Sequence, residues 1–356
     1  MKVLFAPAGW RAEQTEGPLR AVGVEVRTVR FRPPGALARL SLAGRSLAAG
    51  LFTRADILLC DMCSSLAMLP LAPALLRRWP LVLRPHSDLW REAEDMRMQG
   101  RGGLVRNLLD PGLQNWFYRR AAAILPISEA LKEPIARNAG VDPKLITPIR
   151  LPVDAERFTP ALDREAIKRE LGFEYEHIIS LVMPFQFLQK VSGLERFLPV
   201  LRELVERHPD VAVVIAGDGI LRADFERRHR DLLEHPRLLM AGHLHSIERL
   251  YQCSDVLAHF SFFDSWARVL YEAWACETPV VVNDYAPLLQ SLRPGENGYV
   301  VGNEADAREA LPVFERLVYD AEHRRELGEA GREMVVRELS QDTLGRLLRA
   351  ALERLL

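Results

Sequence analysis

Two carboxylates stand eight positions apart in the segment Asp264-Ser-Trp-Ala-Arg-Val-Leu-Tyr-Glu272-Ala-Trp-Ala-Cys-Glu-Thr-Pro279-Val-Val-Val. Asp264 and Ser265 are good N-cap residues, and Trp266 to Cys276 contains neither Gly nor Pro, which predicts a helix opening at that point. The first turn of such a helix offers unpaired backbone amides and positive dipole to an anion such as a phosphate. Glu272, about two turns in, has two acceptor oxygens suited to a pair of vicinal hydroxyls. Asp264, at the entry, suits another hydroxyl. A phosphate held between two hydroxyl-binding carboxylates is what a nucleotide-sugar requires.

The elements that position these groups are those of an α/β protein. Short apolar, β-branched runs alternate with helical patterns along all 356 residues, a length that fits two domains. Strands are expected at Lys2–Ala6, Val24–Val29, Asp56–Leu59, Leu81–Pro85 and Ala123–Ile127. Further strands are expected at Ile178–Met183, Ala212–Ala216, Leu238–Ala241, Val256–His259 and Pro279–Val282. Helical stretches such as Leu194–Arg207 and Ala223–Leu233 lie between them. The alternation predicts doubly wound parallel sheets covered by helices on both faces. Pro148, Pro152 and Pro160 punctuate the expected boundary between a domain over residues 1–152 and one over 153–335. A Leu- and Arg-rich helix follows over residues 336–356.

Hydrophobic residues make up 48% of the chain and charged residues 27%, as in ordinary globular proteins. No run of eighteen apolar residues occurs, and the apolar start is too short for a signal peptide. Four cysteines in this length do not make a disulfide framework, and Cys60-Asp-Met-Cys63 lacks a second ligand pair to complete a zinc site. A cytoplasmic protein is expected. The net charge of −1 conceals an asymmetry: residues 1–150 hold 22 Lys/Arg against 13 Asp/Glu, and the remainder 25 against 35. A basic first half joined to an acidic second half predicts that the first meets something anionic. Its aromatics are not interleaved with basic residues as nucleic-acid binding requires, so no nucleic acid is expected.

The central segment resembles the E-x7-E region of the retaining glycosyltransferases of family 4, the group 1 glycosyltransferases of the GT-B fold, with Asp264 in the place of the first Glu. Glu272-Ala-Trp-Ala-Cys-Glu-Thr-Pro-Val-Val is similar to the family's E-A-M-A-C-G-T-P-V-V. The Val-Asp-Ala-Glu-Arg-Phe-Thr-Pro run ending at Pro160 resembles its V-D-x-x-x-F-x-P connector, and Pro294-Gly-Glu-Asn-Gly-Tyr-Val-Val its D-G-x-N-G-x-L-V turn and strand. The resemblance covers residues 178–302 well and the first half in outline. It implies a GT-B architecture, two Rossmann-like domains facing a central cleft, with the final helix packed back on the first domain. It also implies transfer of a sugar with retention at the anomeric carbon.

On this resemblance, Lys190 in Met183-Pro-Phe-Gln-Phe-Leu-Gln-Lys190 matches the lysine that neutralises the leaving diphosphate, while Phe185 occupies the family's Arg position. Arg268 stands where many relatives carry Arg and would supply part of that charge. The amides at Ser265, Trp266 and Ala267 would also face the diphosphate, with Asp264 on the sugar and Glu272 on the ribose. Gly217 and Gly219 of Gly-Asp-Gly219 would let the backbone approach the base, with the His243–Leu244 backbone at its edge. In the first half, His86 of Arg84-Pro-His86-Ser-Asp88 matches a histidine that approaches the sugar or acceptor. Gly9 stands where relatives have a Gly-rich loop near the diphosphate, and Ser128-Glu129 resembles the family's V-S-E turn.

The implied donor is a UDP-, GDP- or ADP-sugar used as substrate, with no cofactor. The implied acceptor is a glycan, lipid or small molecule, with peripheral contact between the basic half and the inner face of an anionic membrane. No D-x-D motif occurs, and His243 and His245 lack a third ligand, so no metal is expected. Two alternatives remain at this stage: a nucleotide-sugar-binding protein or partner subunit with weak or no turnover, motivated by Phe185, Pro287 and Gln290, and a UDP-amino-sugar epimerase.

Overall fold

The computed structural model describes residues 1–8, 12–30, 45–61, 77–100, 104–303 and 307–356. Contacts divide the chain into two compact units, Met1–Pro152 with Leu339–Leu356, and Val153–Glu338. Each is built on a wholly parallel sheet.

In the first unit the strands are β1 (Lys2–Ala8), β2 (Glu25–Arg30), β3 (Ile57–Cys60), β4 (Leu81–Leu83) and β5 (Ala123–Ile124). Their order is β2-β1-β3-β4-β5, so the winding reverses between β1 and β3. Ile57, Leu58, Leu59, Leu81, Val82 and Leu83 are buried on both faces, as strands covered by helices require. Helix Gln341–Glu353, capped by Ser340, belongs to this unit and packs on helix Glu13–Ala21. A Cβ on Gly345 would lie 2.2 Å from Pro18 O, so the two helices meet where only a hydrogen fits. The expected terminal helix over residues 336–356 is thus two pieces, broken after Glu338, where Ala321–Glu338 ends.

The second unit holds β6 (His177–Val182), β7 (Val211–Ala216), β8 (Leu238–Gly242), β9 (Val256–His259), β10 (Val280–Asn283) and β11 (Gly298–Val301). The order β11-β10-β9-β6-β7-β8 is that of a dinucleotide-binding sheet, and its winding reverses between β6 and β9. Ligands of open parallel sheets bind at the carboxyl ends of the strands flanking such a reversal.

Helix Leu188–Arg207 begins six residues before the expected Leu194. It buries Val191, Leu194, Phe197, Leu198, Leu201, Leu204 and Val205 along one stripe against the sheet. Gly193 does not break it. A Cβ there would fall 2.5 Å from Phe260 O, so the glycine is what lets the helix press on the loop after β9. The early start also brings Lys190 onto the first turn. The expected helix Ala223–Leu233 is interrupted at His229 into Arg222–Arg228 and Arg230–Leu233.

Gly193→Ala should therefore push this helix off the loop and lower stability by about 1–3 kcal/mol. The measurement is the urea midpoint, and an unchanged midpoint contradicts the packing described.

Candidate functional site

The β6/β9 reversal carries the densest group of site residues. The loop leaving β9 is held from two sides. Ser261 N–H donates to Asn283 Oδ1 at 2.8 Å, and Asn283 Nδ2 returns a bond to Ser261 O at 3.1 Å. Phe262 N–H donates to Gln189 O at 3.2 Å, which ties the loop to the segment that bears Lys190. Asp264 and Lys190 are thereby brought together: Lys190 Nζ lies 2.8 Å from Asp264 Oδ2. His259, the last residue of β9, reaches the same oxygen through Nε2 at 3.1 Å.

Asp264 and His259 side chains are only 7% and 4% exposed, so this carboxylate has lost most of its water. Burial alone would raise its pKa. The Lys190 ammonium and His259 outweigh burial and hold it well below the usual carboxylate range. Both contacts fall on Oδ2, and nothing among the described residues bonds to Oδ1. Lys190 has three donors and uses one on Asp264, leaving two without a partner among the described residues.

The helix after this loop runs from Arg268 to Ala275, not from Trp266. Ala267 is its N-cap and no side chain caps it, so Ser265 does not play the capping part expected of it. Ser265, Trp266 and Ala267 form the turn before the helix. No backbone amide from Ser265 to Val269 has a hydrogen-bond partner among the described residues. Trp266 is buried and stacks on Tyr271, ring centroids 4.6 Å apart, and its Nε1 also lacks a partner among the described residues. The turn is a set of donors directed at no acceptor among the described residues.

Glu272 is buried, with Oε1 2.9 Å from Arg268 Nε and Oε2 accepting from Tyr251 OH at 3.2 Å. The two residues expected to serve ribose and diphosphate are therefore paired with each other one turn apart. Burial, then the charge of Glu272, raises the Tyr251 phenol well above its usual pKa, so it stays a donor. The helix is fixed from behind. Trp274 Nε1 donates to Asn297 O at 2.7 Å, and Gly331 lies against the Trp274 ring, where a Cβ would be 2.2 Å away. Glu277, which replaces the family's Gly, adopts a left-handed φ of 60°.

Gly217 and Gly219, after β7, have φ of 140° and 155°. A Cβ would sit 1.8 Å from Met183 O at the first and 2.3 Å from Phe185 O at the second, so the loops after β6 and β7 touch backbone to backbone. Gly217 N–H donates to Gly242 O at 2.7 Å and joins the end of β8. Beyond it, His243 is exposed and Leu244 packs on a small apolar cluster with Ile167 and Leu250. The ring of Phe185 is fully buried against Phe225 and belongs to the core. Among the described residues, Glu176, His177 and Asp210 are grouped closely enough to hold a metal ion, and His243 and His245 are in no such group.

In the first unit, His86 Nε2 lies 3.2 Å from Asp61 Oδ1, just past β3 at the β1/β3 reversal. Arg84, fully buried, donates to Thr15 Oγ1, Leu125 O, Ile149 O and Arg150 O and fixes the strand end before His86. Burial lowers its pKa to about 10 against the pull of Asp61, which leaves it cationic at neutral pH. Asp88 caps helix Leu89–Met98 by accepting from Arg91 N–H. Ser128 precedes the turn Glu129–Leu131 without capping it. Gly9 and Cys63 lie outside the described residues; the Cys60 thiol is buried and donates to Ala6 O.

His259, Asp61 and Tyr251 are the partners that sequence reasoning missed. The only signal was position, since His259 and Asp61 end apolar strands. Replacing Asp264 by Asn should cost about 3 kcal/mol at pH 7, the cost of leaving the part-buried Lys190 beside a neutral amide. Because the folded pKa of Asp264 is depressed, its contribution is complete above the unfolded value of about 4, shrinks below it and is lost as pH falls through the folded value. The melting difference between wild type and Asp264→Asn should therefore narrow between pH 5 and 3, roughly across that unfolded value. A pH-independent difference contradicts the ion pair.

Sequence comparisons match both halves. The profile described as "Glycosyl transferases group 1" matches residues 163–334, and that described as "Glycosyl transferase 4-like domain" matches residues 2–152. A D-inositol 3-phosphate glycosyltransferase of Corynebacterium jeikeium is 31% identical over 188 residues, 49% of this chain and 44% of that protein. The spore coat protein SA of Bacillus subtilis is 28% identical over 178 residues, 48% of this chain and 46% of that one. These matches span less than half the length of either relative. Among solved structures, sucrose-phosphate synthase of Thermosynechococcus elongatus has a TM-score of 0.77 at 15% identity, covering 99% of this chain and 98% of that one. Anabaena HepE in complex with UDP has a TM-score of 0.75 at 16% identity, covering 99% and 100%. With profile matches to both units and two parallel α/β sheets of GT-B type, the chain belongs to the group 1 glycosyltransferases.

Proposed function

We propose that the chain transfers a sugar from a nucleoside-diphosphate donor to an acceptor hydroxyl, with retention at the anomeric carbon and without a metal ion. The observation that carries this reading is the group at the β6/β9 reversal. There a buried anionic Asp264 stands beside the Lys190 ammonium and a turn of amides, and among the described residues one Asp264 oxygen, two Lys190 donors and those amides have no partner. HepE is known in complex with UDP-glucose, which supports a nucleotide-sugar as the donor.

Breaking the glycosyl-phosphate bond leaves negative charge on the diphosphate and positive charge on the sugar ring. Preorganised donors aimed at the growing negative charge stabilise that transition state without reorganising. Lys190 and the amides from Ser265 to Val269 fill this part. Arg268 adds the guanidinium nitrogens that Glu272 does not occupy. Asp264 Oδ1 accepts a sugar hydroxyl, and Glu272 takes the ribose, its carboxylate fixed by Arg268 and Tyr251. The Gly217–Gly219 turn and the His243–Leu244 backbone receive the base. The unit Val153–Glu338 is then the donor domain and residues 1–152 the acceptor side, where His86, oriented by Asp61, serves the acceptor.

One observation favours a second reading, a donor-binding protein without turnover: Lys190 and Arg268 both already face carboxylates, and Phe185 adds no cation. Acceptor-dependent release of the nucleoside diphosphate separates the two.

The protein is also proposed to act in the cytoplasm, against an anionic membrane. No helix among the described residues is long and apolar enough to cross a membrane. From Val26 to Ala55 the sequence has six arginines and no acidic residue. Within this stretch, residues 45–52 are helical and expose Leu47, Leu51 and Phe52, the last 81% exposed, beside exposed Arg45 and Arg54. Apolar side chains rimmed by cations suit an anionic bilayer surface.

Glu272→Ala should abolish nucleoside-diphosphate binding in calorimetric titration, whereas His86→Ala should leave that affinity unchanged and reduce transfer about 100-fold. Unchanged donor affinity in the Glu272 variant contradicts its role. Phe52→Glu should remove flotation with phosphatidylglycerol vesicles, and equal flotation by the variant contradicts the membrane contact.

A further inference from the structure

We infer that His259 is a positioning residue that keeps Asp264 in place when Lys190 turns to the leaving diphosphate, a role that rests on the donor site proposed above. Lys190 has two tasks that compete. In this structure it neutralises Asp264, with Nζ 2.8 Å from Oδ2. During transfer its charge is needed on the diphosphate. A buried carboxylate whose only partner is drawn away is left uncompensated and turns or takes up a proton. Either outcome would spoil the acceptor oxygen that meets the sugar.

The geometry provides a second hold on the same atom. His259 Nε2 is 3.1 Å from Oδ2, so the histidine and the ammonium share one oxygen and leave the other open. His259 is 4% exposed and ends β9, whose neighbour β10 pairs Val282 with it in register. The next residue, Phe260, lies in the core and stacks on Phe197, ring centroids 3.8 Å apart. Lys190 stands on a long flexible stem, whereas His259 has a short, planar side chain on a strand end buried on all sides. When diphosphate oxygens compete for the ammonium, the mobile partner leaves and the fixed one stays. His259 touches no reacting atom; it acts through Asp264.

The test uses two substitutions of nearly equal length and volume that differ in whether the side chain ends in an N–H-bearing amide. His259→Gln retains an N–H able to reach Asp264, and His259→Met has none. With UDP-glucose, GDP-mannose and ADP-glucose as probes, slow hydrolysis without acceptor gives kcat and KM, and titration with UDP, GDP and ADP gives Kd. In the Met variant kcat should fall about 10- to 100-fold, the range of a lost hydrogen bond to a charged group, with nucleoside-diphosphate Kd within about threefold of wild type. In the Gln variant kcat should recover to within about threefold of wild type at equal melting temperature. A Met variant that turns over like wild type, or a Gln variant as slow as Met, overturns the role. Independently of either variant, the 15N signal of His259 Nε2 in the wild type should stay unmoved at saturating diphosphate. Its shift to that of an unbonded imidazole also overturns the role. Wild type binding none of the three diphosphates would overturn the donor site itself, an outcome distinct from normal binding with an indifferent His259.

Discussion

A carboxylate as buried as Asp264 persists as an anion only where cations or donors are held against it, because its lost hydration costs several kcal/mol. The compensation comes from two strands that are not neighbours in sequence. Lys190 follows β6, His259 ends β9, and the two strands lie side by side only because the sheet reverses its winding there. Gly193 lets the Lys190 helix approach, and Asn283 on β10 clamps the loop that carries Asp264. Loosening any of these leaves a charge without its partner. The site and the packing of the second unit are therefore one physical problem.

Next to this pair, the Arg268–Ala275 helix contributes by what it leaves unsatisfied. Its entry turn has no side-chain cap, an omission that usually costs about 1 kcal/mol of helix stability. The loss is offset by burial of Trp274 and its bond to Asn297 on the far side of the helix. Left-handed Glu277 closes the same helix at a further cost of about 1 kcal/mol. A rigid back and an open front suit an element proposed to hold donors still for an incoming anion.

Much of the framework was legible in the sequence because parallel strands buried on both faces read as apolar runs. Val256–His259 matches its expected bounds, and most other strands differ by one or two residues. Strand order was not legible, since pairing between β6 and β9 joins residues 77 positions apart. Helix starts were less legible. Gly193 resembles a breaker and is a packing glycine, while Ser265 resembles a cap and leaves its turn open. Asp264 and Glu272 were visible by spacing, and Lys190 and Arg268 through the family resemblance. Their pairing as Lys190–Asp264 and Arg268–Glu272 was not, because side-chain direction depends on where each helix begins. His259 and Asp61 were hidden for a simpler reason: a single polar residue after an apolar run has no period to mark it.

The central claim is that an anionic diphosphate docks at the entry of the Arg268–Ala275 helix and takes Lys190 from Asp264. The most direct measurement is a crystal structure with the nucleoside diphosphate that binds. Diphosphate oxygens should lie within hydrogen-bond distance of Lys190 Nζ and of amides between Ser265 and Val269, with Asp264 still on His259. A nucleotide bound away from this turn, or one that leaves Lys190 on Asp264 and out of reach of the phosphates, would contradict the claim.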